Sequence, residues 1–210
     1  MSAATGHDHE AGDIPATLIT LGVLAGGQAT RLGGVDKAWM ERDGLPQVLR
    51  WQRRFARETG AMLVSANRHL SRYEAAGLHA VPDRIAGDFG PIAGLDALLG
   101  HCRTPWLLTI PVDLVGVNDC LLPSLSSGRS DHGAFAHDDD GPQPLVALWR
   151  VGTVSPAVSA AIHRKETAIH ALQARLGMAG VRFEGVRFGN LNTPEDLRAA
   201  GFFVDAPRND

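Results

Sequence analysis

The strongest constraint on this chain lies in residues 17–37. Thr17-Leu18-Ile19-Thr20-Leu21-Gly22-Val23-Leu24 is an uncharged aliphatic and β-branched run, and it stops at Gly26-Gly27. A short run with no charged face predicts a buried strand of a parallel sheet. The segment that continues it, Leu24-Ala25-Gly26-Gly27-Gln28-Ala29-Thr30-Arg31-Leu32-Gly33-Gly34-Val35-Asp36-Lys37, combines four glycines with one arginine and one lysine. Glycines let backbone N–H groups approach phosphate oxygens with no Cβ in the way, and Arg31 and Lys37 supply full positive charges. A glycine-rich surface loop is the plainer alternative; the two cations and the strand before them favour a triphosphate cradle. The spacing is not the GxxxxGK[ST] loop of phosphate-hydrolysing enzymes. Nor is it the GxGxxG of dinucleotide binders, because Gly26 and Gly27 are adjacent, which argues against NAD-dependent oxidoreduction.

The rest of the chain alternates strand and helix signals. Residues 46–57 predict an amphipathic helix with Val48, Leu49, Trp51, Gln52 and Phe55 on one side and Arg50, Arg53, Arg54 and Arg57 elsewhere. Residues 61–66 read as a strand, 70–76 as a helix and Ala80-Val81 as a short strand edge before Pro82-Asp83. Residues 92–101 form a helix behind Gly90-Pro91, and the apolar strand 106–110 ends at Pro111-Val112-Asp113. Strands are expected at 133–136 and 145–150, separated by an acidic loop over 137–142, and helices at 155–163 and 168–176. Residues 181–188 are strand-like, and Thr193-Pro194-Glu195-Asp196 carries the cap, proline and acids of a helix start. Such alternation predicts an α/β, three-layer Rossmann-like fold with a mostly parallel sheet. With 210 residues and no linker or repeat, the expectation is one domain over residues 16–203, an N-terminal disordered tail over 1–15 and a C-terminal tail over 204–210.

Composition narrows the partners. Twenty basic against twenty-three acidic side chains give a net charge of −3, so nucleic acid is not an expected partner. No apolar stretch approaches the roughly 20 residues of a membrane span, and the tail lacks a secretory signal, so a cytoplasmic location is expected. His7-Asp8-His9-Glu10 in that tail has no fixed geometry with which to hold a metal. Cys102 and Cys120 lack CxxC spacing and read as two small buried hydrophobes.

In open α/β sheets, ligands bind outside the carboxyl ends of the strands. Three strand ends carry unusual chemistry: residues 25–37, Asn67 and Asp113. Asp113 suits Mg²⁺, which takes one or two carboxylates together with phosphate oxygens, though a strand-end aspartate can equally cap a turn. Asp83, behind Val81-Pro82, has the same ambiguity. Asn67 fits either a base or ribose contact or a turn closure.

Taken in order, Leu24-Ala25-Gly26-Gly27 with Arg31, Gly33-Gly34 and Asp36-Lys37, then Ala66-Asn67-Arg68, Gly90-Pro91-Ile92-Ala93-Gly94, Asp113 and Asn190-Leu191-Asn192-Thr193-Pro194-Glu195-Asp196-Leu197 resemble the MobA-type molybdenum cofactor guanylyltransferases. The match spans residues 18–200, and the stretch 65–70 and His137-Asp138 look like the same subfamily. The resemblance implies a nucleotidyltransferase that binds GTP and Mg²⁺, joins GMP to molybdopterin and releases pyrophosphate. It implies nucleotide contacts from Leu24, Ala25, Gly26, Gly27 and Lys37, base and ribose contacts from Asn67 and Asp83, and magnesium on Asp113. Arg31 matches the phosphate-binding arginine; Arg31, Lys37 and Asp113 would carry catalysis. Gly94, Gln143, Asn190 and Asn192 would lie near the acceptor and reacting phosphates. Transient contact with cofactor-delivering or cofactor-receiving proteins is also expected.

Three places depart from the pattern. Val112 stands where cysteine is common, Leu114-Val115 replaces Thr-Pro beyond the metal aspartate, and Lys165-Glu166-Thr167 does not reproduce the basic approach to the pterin. In the acceptor region the chain reads Gln143-Pro144-Leu145. A cytidylyltransferase or another nucleotidyltransferase of the same fold is the nearest alternative, and a non-catalytic nucleotide-binding relative the next.

Overall fold

The computed structural model describes residues 13–26, 36–87, 89–191 and 193–202. Gly27, Arg31, Gly33, Gly34 and Asn192, with nearly all of both expected tails, lie outside the described residues.

The elements run β1 (Ile19–Leu24), β2 (Glu41–Arg42), β3 (Leu45–Pro46), α1 (Gln47–Phe55), β4 (Ala61–Ser65), α2 (Leu70–Ala75), β5 (Ala80–Val81), α3 (Pro91–His101), β6 (Trp106–Pro111) and β7 (Leu114–Val115). They continue with α4 (Leu121–Ser127), β8 (Gly133–Asp138), β9 (Gly141–Arg150), α5 (Val151–His163), α6 (Ile169–Leu176), β10 (Ala179–Arg182), β11 (Gly189–Asn190) and α7 (Pro194–Ala199). The seven-stranded sheet has the order β10-β8-β9-β6-β1-β4-β5. Strands β1, β4, β5 and β6 are mutually parallel, whereas β9 runs antiparallel to both β6 and β8.

Period-2 alternation divides each strand between two faces. Ile19, Leu21 and Val23 pack with Val48, Trp51 and Phe55 of α1 and Leu121 and Leu125 of α4. On the opposite face Leu63, Leu107 and Trp149 pack with Ile92, Leu95 and Leu98 of α3 and with Val154, Val158 and Leu172 of α5 and α6. The sheet is therefore the middle of three layers, as the sequence predicts. Trp149 is fully buried, and its indole N–H donates to Thr109 Oγ1 at 2.7 Å, which satisfies the one polar atom of that ring.

Several local expectations are revised. Residues 137–142 are not a loop: β8 extends to Asp138 and β9 begins at Gly141, so only Asp139-Asp140 turns. The strand expected at 181–188 is instead β10 followed by a turn at Glu184-Gly185, where Gly185 takes φ 69°. Helix α5 begins at Val151 rather than Ser155. The β2–β3 hairpin turns on Asp43-Gly44, both at positive φ, a dipeptide signal of the tight mirror-image hairpin turn. Cys102 is buried as expected, but Cys120 is exposed, because it sits at the solvent edge before α4 rather than on that helix's core face.

Asp138 fixes the β8–β9 turn. Its buried carboxylate accepts from the backbone N–H of Phe188 at 2.7 Å, of Asp140 and Gly141 at 3.0 Å each, and from Gln143 Nε2 at 3.2 Å. Burial alone would push this carboxyl up, but the donors outweigh it and hold it below the usual carboxylate range. A depressed native pKa contributes stability that is fully present above the unfolded value, about 3.9, and is lost as pH falls through the native value. Asp138→Asn is therefore expected to flatten part of the acid dependence of stability and to cost about 1–3 kcal/mol at neutral pH, because an amide NH₂ turned toward N–H donors leaves them unpaired. Urea unfolding midpoints across the acid range measure both effects; an unchanged acid limb in the variant would remove Asp138 as its source.

Candidate active site

In-register pairing brings three strand ends to one place. Leu24 pairs with Ser65 on one side and with Pro111 on the other. The ladder continues past the strands: Ala25 N–H donates to Ser65 O at 2.9 Å, Val112 N–H to Leu24 O at 3.0 Å and Ala66 N–H to Val81 O at 3.1 Å. The next residues, Gly26, Asn67, Asp83 and Asp113, therefore emerge side by side. They line a cleft of about 650 Å³ together with Gly90, Pro91 and Gly94 from the start of α3.

Gly94 has a steric reason. A Cβ there would lie 2.7 Å from Ser65 Oγ and 3.0 Å from Leu24 Cδ2, so only glycine lets the first turns of α3 close onto the ends of β1 and β4. Ser65 Oγ is buried in this region with no hydrogen-bond partner among the described residues. Helix α3 has no side-chain cap, and Gly90 takes φ 64° before Pro91. Its first N–H groups and the positive end of its dipole open on the cleft, an arrangement suited to an anion.

The charged centre is Lys37 and Asp113. Asp36 caps a short 3-10 turn, Lys37–Trp39, by accepting from Ala38 N–H at 3.1 Å, and this fixes where Lys37 leaves the backbone. Lys37 Nζ lies 2.7 Å from Asp113 Oδ2, with the two side chains only 17% and 18% exposed. Two largely shielded, opposite charges that converge across 76 positions of sequence form a centre where a phosphate could meet a cation, and a metal a carboxylate. Asp113 offers one hard oxygen ligand, and among the described residues no group of three or more His, Cys, Asp or Glu side chains gathers anywhere.

Asn67 and Asp83 hold each other. Asn67 Nδ2 donates to Asp83 Oδ2 at 2.8 Å, and Asp83 N–H donates to Asn67 Oδ1 at 2.9 Å. Both are exposed to the cleft, with acceptor capacity left for hydroxyls. Behind them stands a pair that the sequence did not single out. Arg84 grips Asp96 with two bonds, Nε to Oδ2 and Nη2 to Oδ1, at 2.9 Å each. Asp96 is buried on α3, and the guanidinium packs where a Cβ on Gly100 would come within 2.3 Å of Nη1. Arg84 thus ties the segment that begins at Asp83 to α3. Its sequence signal was slight: an acid and a glycine spaced one helical turn apart, Asp96 and Gly100.

Toward the other edge, Asn190 lies on β11, which pairs antiparallel with β7 so that Asn190 faces Leu114 in the ladder. Leu191 N–H donates to Asp113 O at 3.0 Å, which brings Asn190 beside the aspartate. Leu114 is buried in the core and Val115 pairs with Gly189, so the departure at Leu114-Val115 builds the β7–β11 ladder. Val112 is buried too, and its carbonyl accepts from Trp51 Nε1 at 3.0 Å. Gln143 is on β9 with its amide committed to Asp138; the same strand reaches the cleft through Leu145 instead. Lys165-Glu166-Thr167 makes the α5–α6 turn, where Arg164 and Arg175 flank Glu166 at 2.8 and 2.6 Å and hold its carboxyl down to about 2.

Strand ends that present a glycine edge, a lysine–aspartate pair and a helix N-terminus at one edge of a mostly parallel sheet define an α/β domain with a ligand cleft suited to phosphate groups. Residues 21–178 match the model of the MobA-like NTP transferase domain. The chain is 32% identical over 185 residues to the molybdenum cofactor guanylyltransferase of Cupriavidus pinatubonensis, covering 84% of this chain and 92% of that one. It is 33% identical over 198 residues to the enzyme of the same name from Ralstonia nicotianae, covering 88% and 97%. The crystal structure of molybdopterin-guanine dinucleotide biosynthesis protein A from Archaeoglobus fulgidus shares the fold, with TM-score 0.63, 18% identity and coverage of 87% and 96%. The chain belongs to the MobA-like NTP transferase family.

Proposed function

We propose that this protein is a molybdenum cofactor guanylyltransferase, a single catalytic unit over residues 16–203. It transfers GMP from GTP to the terminal phosphate of molybdopterin and releases pyrophosphate. A phosphate oxygen of the acceptor forms a bond to the α-phosphorus of GTP, and the bond from that phosphorus to the bridging oxygen breaks, so pyrophosphate leaves with the electron pair. The observation that carries the reading is Asp113, paired with Lys37, on the lining of a cleft that Gly26, Gly94, Asn67 and Asp83 also line.

The obstacle is that two anions must meet. The acceptor phosphate is already ionised at neutral pH, so no protein nucleophile is needed. Lys37 neutralises charge on the triphosphate, the α3 N-terminus and the backbone around Gly26 orient it, and Asn67 with Asp83 takes the base and ribose. By the family resemblance, Arg31 and Gly27 would add to the phosphate cradle, and Asn190 and Asn192 would act on the reacting phosphates. Gly94 would face the acceptor, and Gln143, whose amide holds Asp138, would act on that side only through the β8–β9 turn. Asp113 would hold Mg²⁺: an anionic oxygen at the cleft edge suits a metal that shares its shell with phosphates. When bound, the ion would draw charge from the phosphate oxygens. GTP and molybdopterin are the proposed substrates, with transient contact to proteins that deliver or receive the cofactor, in the cytoplasm. Among the described residues, no helix is long and apolar enough to cross a membrane.

The test is pyrophosphate release with Mg²⁺ and each of GTP, CTP, ATP and UTP, with and without molybdopterin. Release confined to GTP plus acceptor supports the proposal. Preference for CTP would move it to cytidylyl transfer, and triphosphate binding without release under any condition would make the chain a non-catalytic relative.

Arg84 gives a second expectation. As a positioning residue it should act through Asp83, so Arg84→Ala is expected to raise the KM for GTP several-fold, about 1 kcal/mol of lost binding, with kcat little changed. Steady-state kinetics separate the two, and an equal fall in kcat with no change in KM would contradict the positioning role.

A further inference from the structure

Beyond the nucleotide cleft, the described surface holds a second polar crevice, where α1, the β2–β3 hairpin and β7 meet. It encloses about 200 Å³ and is lined by Arg42, Gln47, Arg50, Trp51, Arg54 and Phe202, among others. We infer that this crevice is a second anion site that takes a compact phosphate-class oxyanion.

The lining is rich in donors and short of acceptors. The side chains of Arg42, Arg50 and Arg54 are only 33%, 26% and 23% exposed. Arg54 is well served: it pairs with Glu58 and lies 2.9 Å from Asp119. Arg42 and Arg50 are not. Their shared counter-charge is Asp43, 3.8 Å from each and 83% exposed, which is beyond hydrogen-bond distance. Arg42 Nη1 reaches Ala200 O at 2.9 Å, but its Nε is buried with no acceptor. Among the described residues Arg50 finds one hydrogen-bond acceptor, the Arg42 carbonyl, at 3.4 Å. Gln47, 4% exposed, reaches Leu114 O at a marginal 3.5 Å.

A buried guanidinium donor with no acceptor among the described residues, here Arg42 Nε, is costly, and a tetrahedral oxyanion can serve two forks at once, which a single carboxylate does less well. The crevice is smaller than the usual 300 Å³ or more of a small-molecule site, so the ligand is inorganic phosphate or pyrophosphate rather than a nucleotide. Because Leu114 and Val115 line it and continue directly from Asp113, occupancy would brace the strand that carries the charged centre.

Calorimetric titration of the full chain with phosphate and with pyrophosphate, at fixed ionic strength, tests the site. Arg50→Gln is the variant, since Arg50 has the fewest contacts to lose, and Arg50→Lys tests rescue of charge. Lys37→Met excludes binding in the nucleotide cleft. Saturable binding is expected that persists in Lys37→Met, weakens about tenfold or more in Arg50→Gln, partly returns in Arg50→Lys, and leaves GTP affinity unaltered. Tighter binding of pyrophosphate would identify the reaction's product as the ligand; equal binding would point to free phosphate. Unchanged affinity in Arg50→Gln, loss in Lys37→Met, or no saturable binding of either anion would overturn the site, the last leaving this face to an acidic protein surface.

Discussion

Lys37→Ala is expected to lower turnover by about 10²-fold or more, the loss seen when a single pre-organised donor to a developing anion is removed. The geometry makes the effect specific to the reaction. Lys37 is held by the capped turn behind Asp36 and meets Asp113 at 2.7 Å, with both side chains mostly shielded from water. In that setting a positive charge is worth more than in bulk solvent, and water cannot replace it without reorganising. Folding should be little affected, because removal leaves a carboxylate that is still partly solvated. The expected signature is a fall in kcat with a near-normal thermal midpoint. Asp113→Asn should act at least as strongly and should also weaken the dependence on Mg²⁺ concentration, since a neutral amide is a poor ligand for that ion. Pyrophosphate release as a function of Mg²⁺ measures both variants, and near-normal turnover in Lys37→Ala would remove that lysine from the mechanism.

Gly133→Ala is expected to be the most damaging single methyl in the molecule. Gly133 opens β8 at φ 123°, a conformation that L side chains rarely adopt, and a Cβ there would lie 1.9 Å from Leu148 O across the β8–β9 ladder. A backbone carbonyl cannot swing away as a side chain can, so the strands must part where Gly133 pairs with Trp149. The cost is about 3 kcal/mol or more, which for a chain of this size lowers the thermal midpoint by roughly 10 °C. Gly141→Ala supplies the control. Gly141 has a similar φ of 128° but nothing within 4 Å of an added Cβ, so it carries conformational strain alone and should cost about 1–2 kcal/mol. Calorimetric scans of the two variants separate strain from collision. Equal midpoints would mean that the contact with Leu148 relaxes freely.

Both expectations depend on placements that differ in how far they could be read beforehand. The apolar run ending at Leu24 and the run ending at Pro111 are short, uncharged and bounded by glycine or proline, so their burial as parallel strands was legible without any tertiary information. So was the start of α7, where Thr193 caps as expected, its Oγ1 accepting at 3.1 Å; the structure adds that Asp196 Oδ2 accepts in return from Thr193 N–H at 2.8 Å. From the alternation of such runs it followed that Gly26, Asn67 and Asp113 would share the carboxyl edge of one sheet. The Asp43-Gly44 turn was not singled out in the sequence, although its two positive φ angles are a local matter.

Other features had no local signature. Residues 137–142 look like a loop because glycine, proline and three aspartates disfavour a strand; the ladder is held there by Asp138, whose partner Phe188 is 50 positions away. Residues 181–188 look strand-like apart from Glu184-Gly185, yet β10 ends at Arg182 and the chain turns there, Gly185 at φ 69°, before Asn190 pairs with β7. Arg84 became visible as a positioning residue only when α3 placed Asp96 and Gly100 against it. The sequence by itself determined that the apolar runs ending near Leu24, Ser65 and Pro111 are strands, which end of the sheet carries chemistry and which residue types gather there, because those follow from burial and periodicity along the chain. Only the tertiary structure decided that Lys37 meets Asp113 across 76 positions, that Asn67 is tied to Asp83, and that Arg42 and Arg50 share a crevice poor in acceptors. Those pairings depend on strand order and register, which no local interaction specifies.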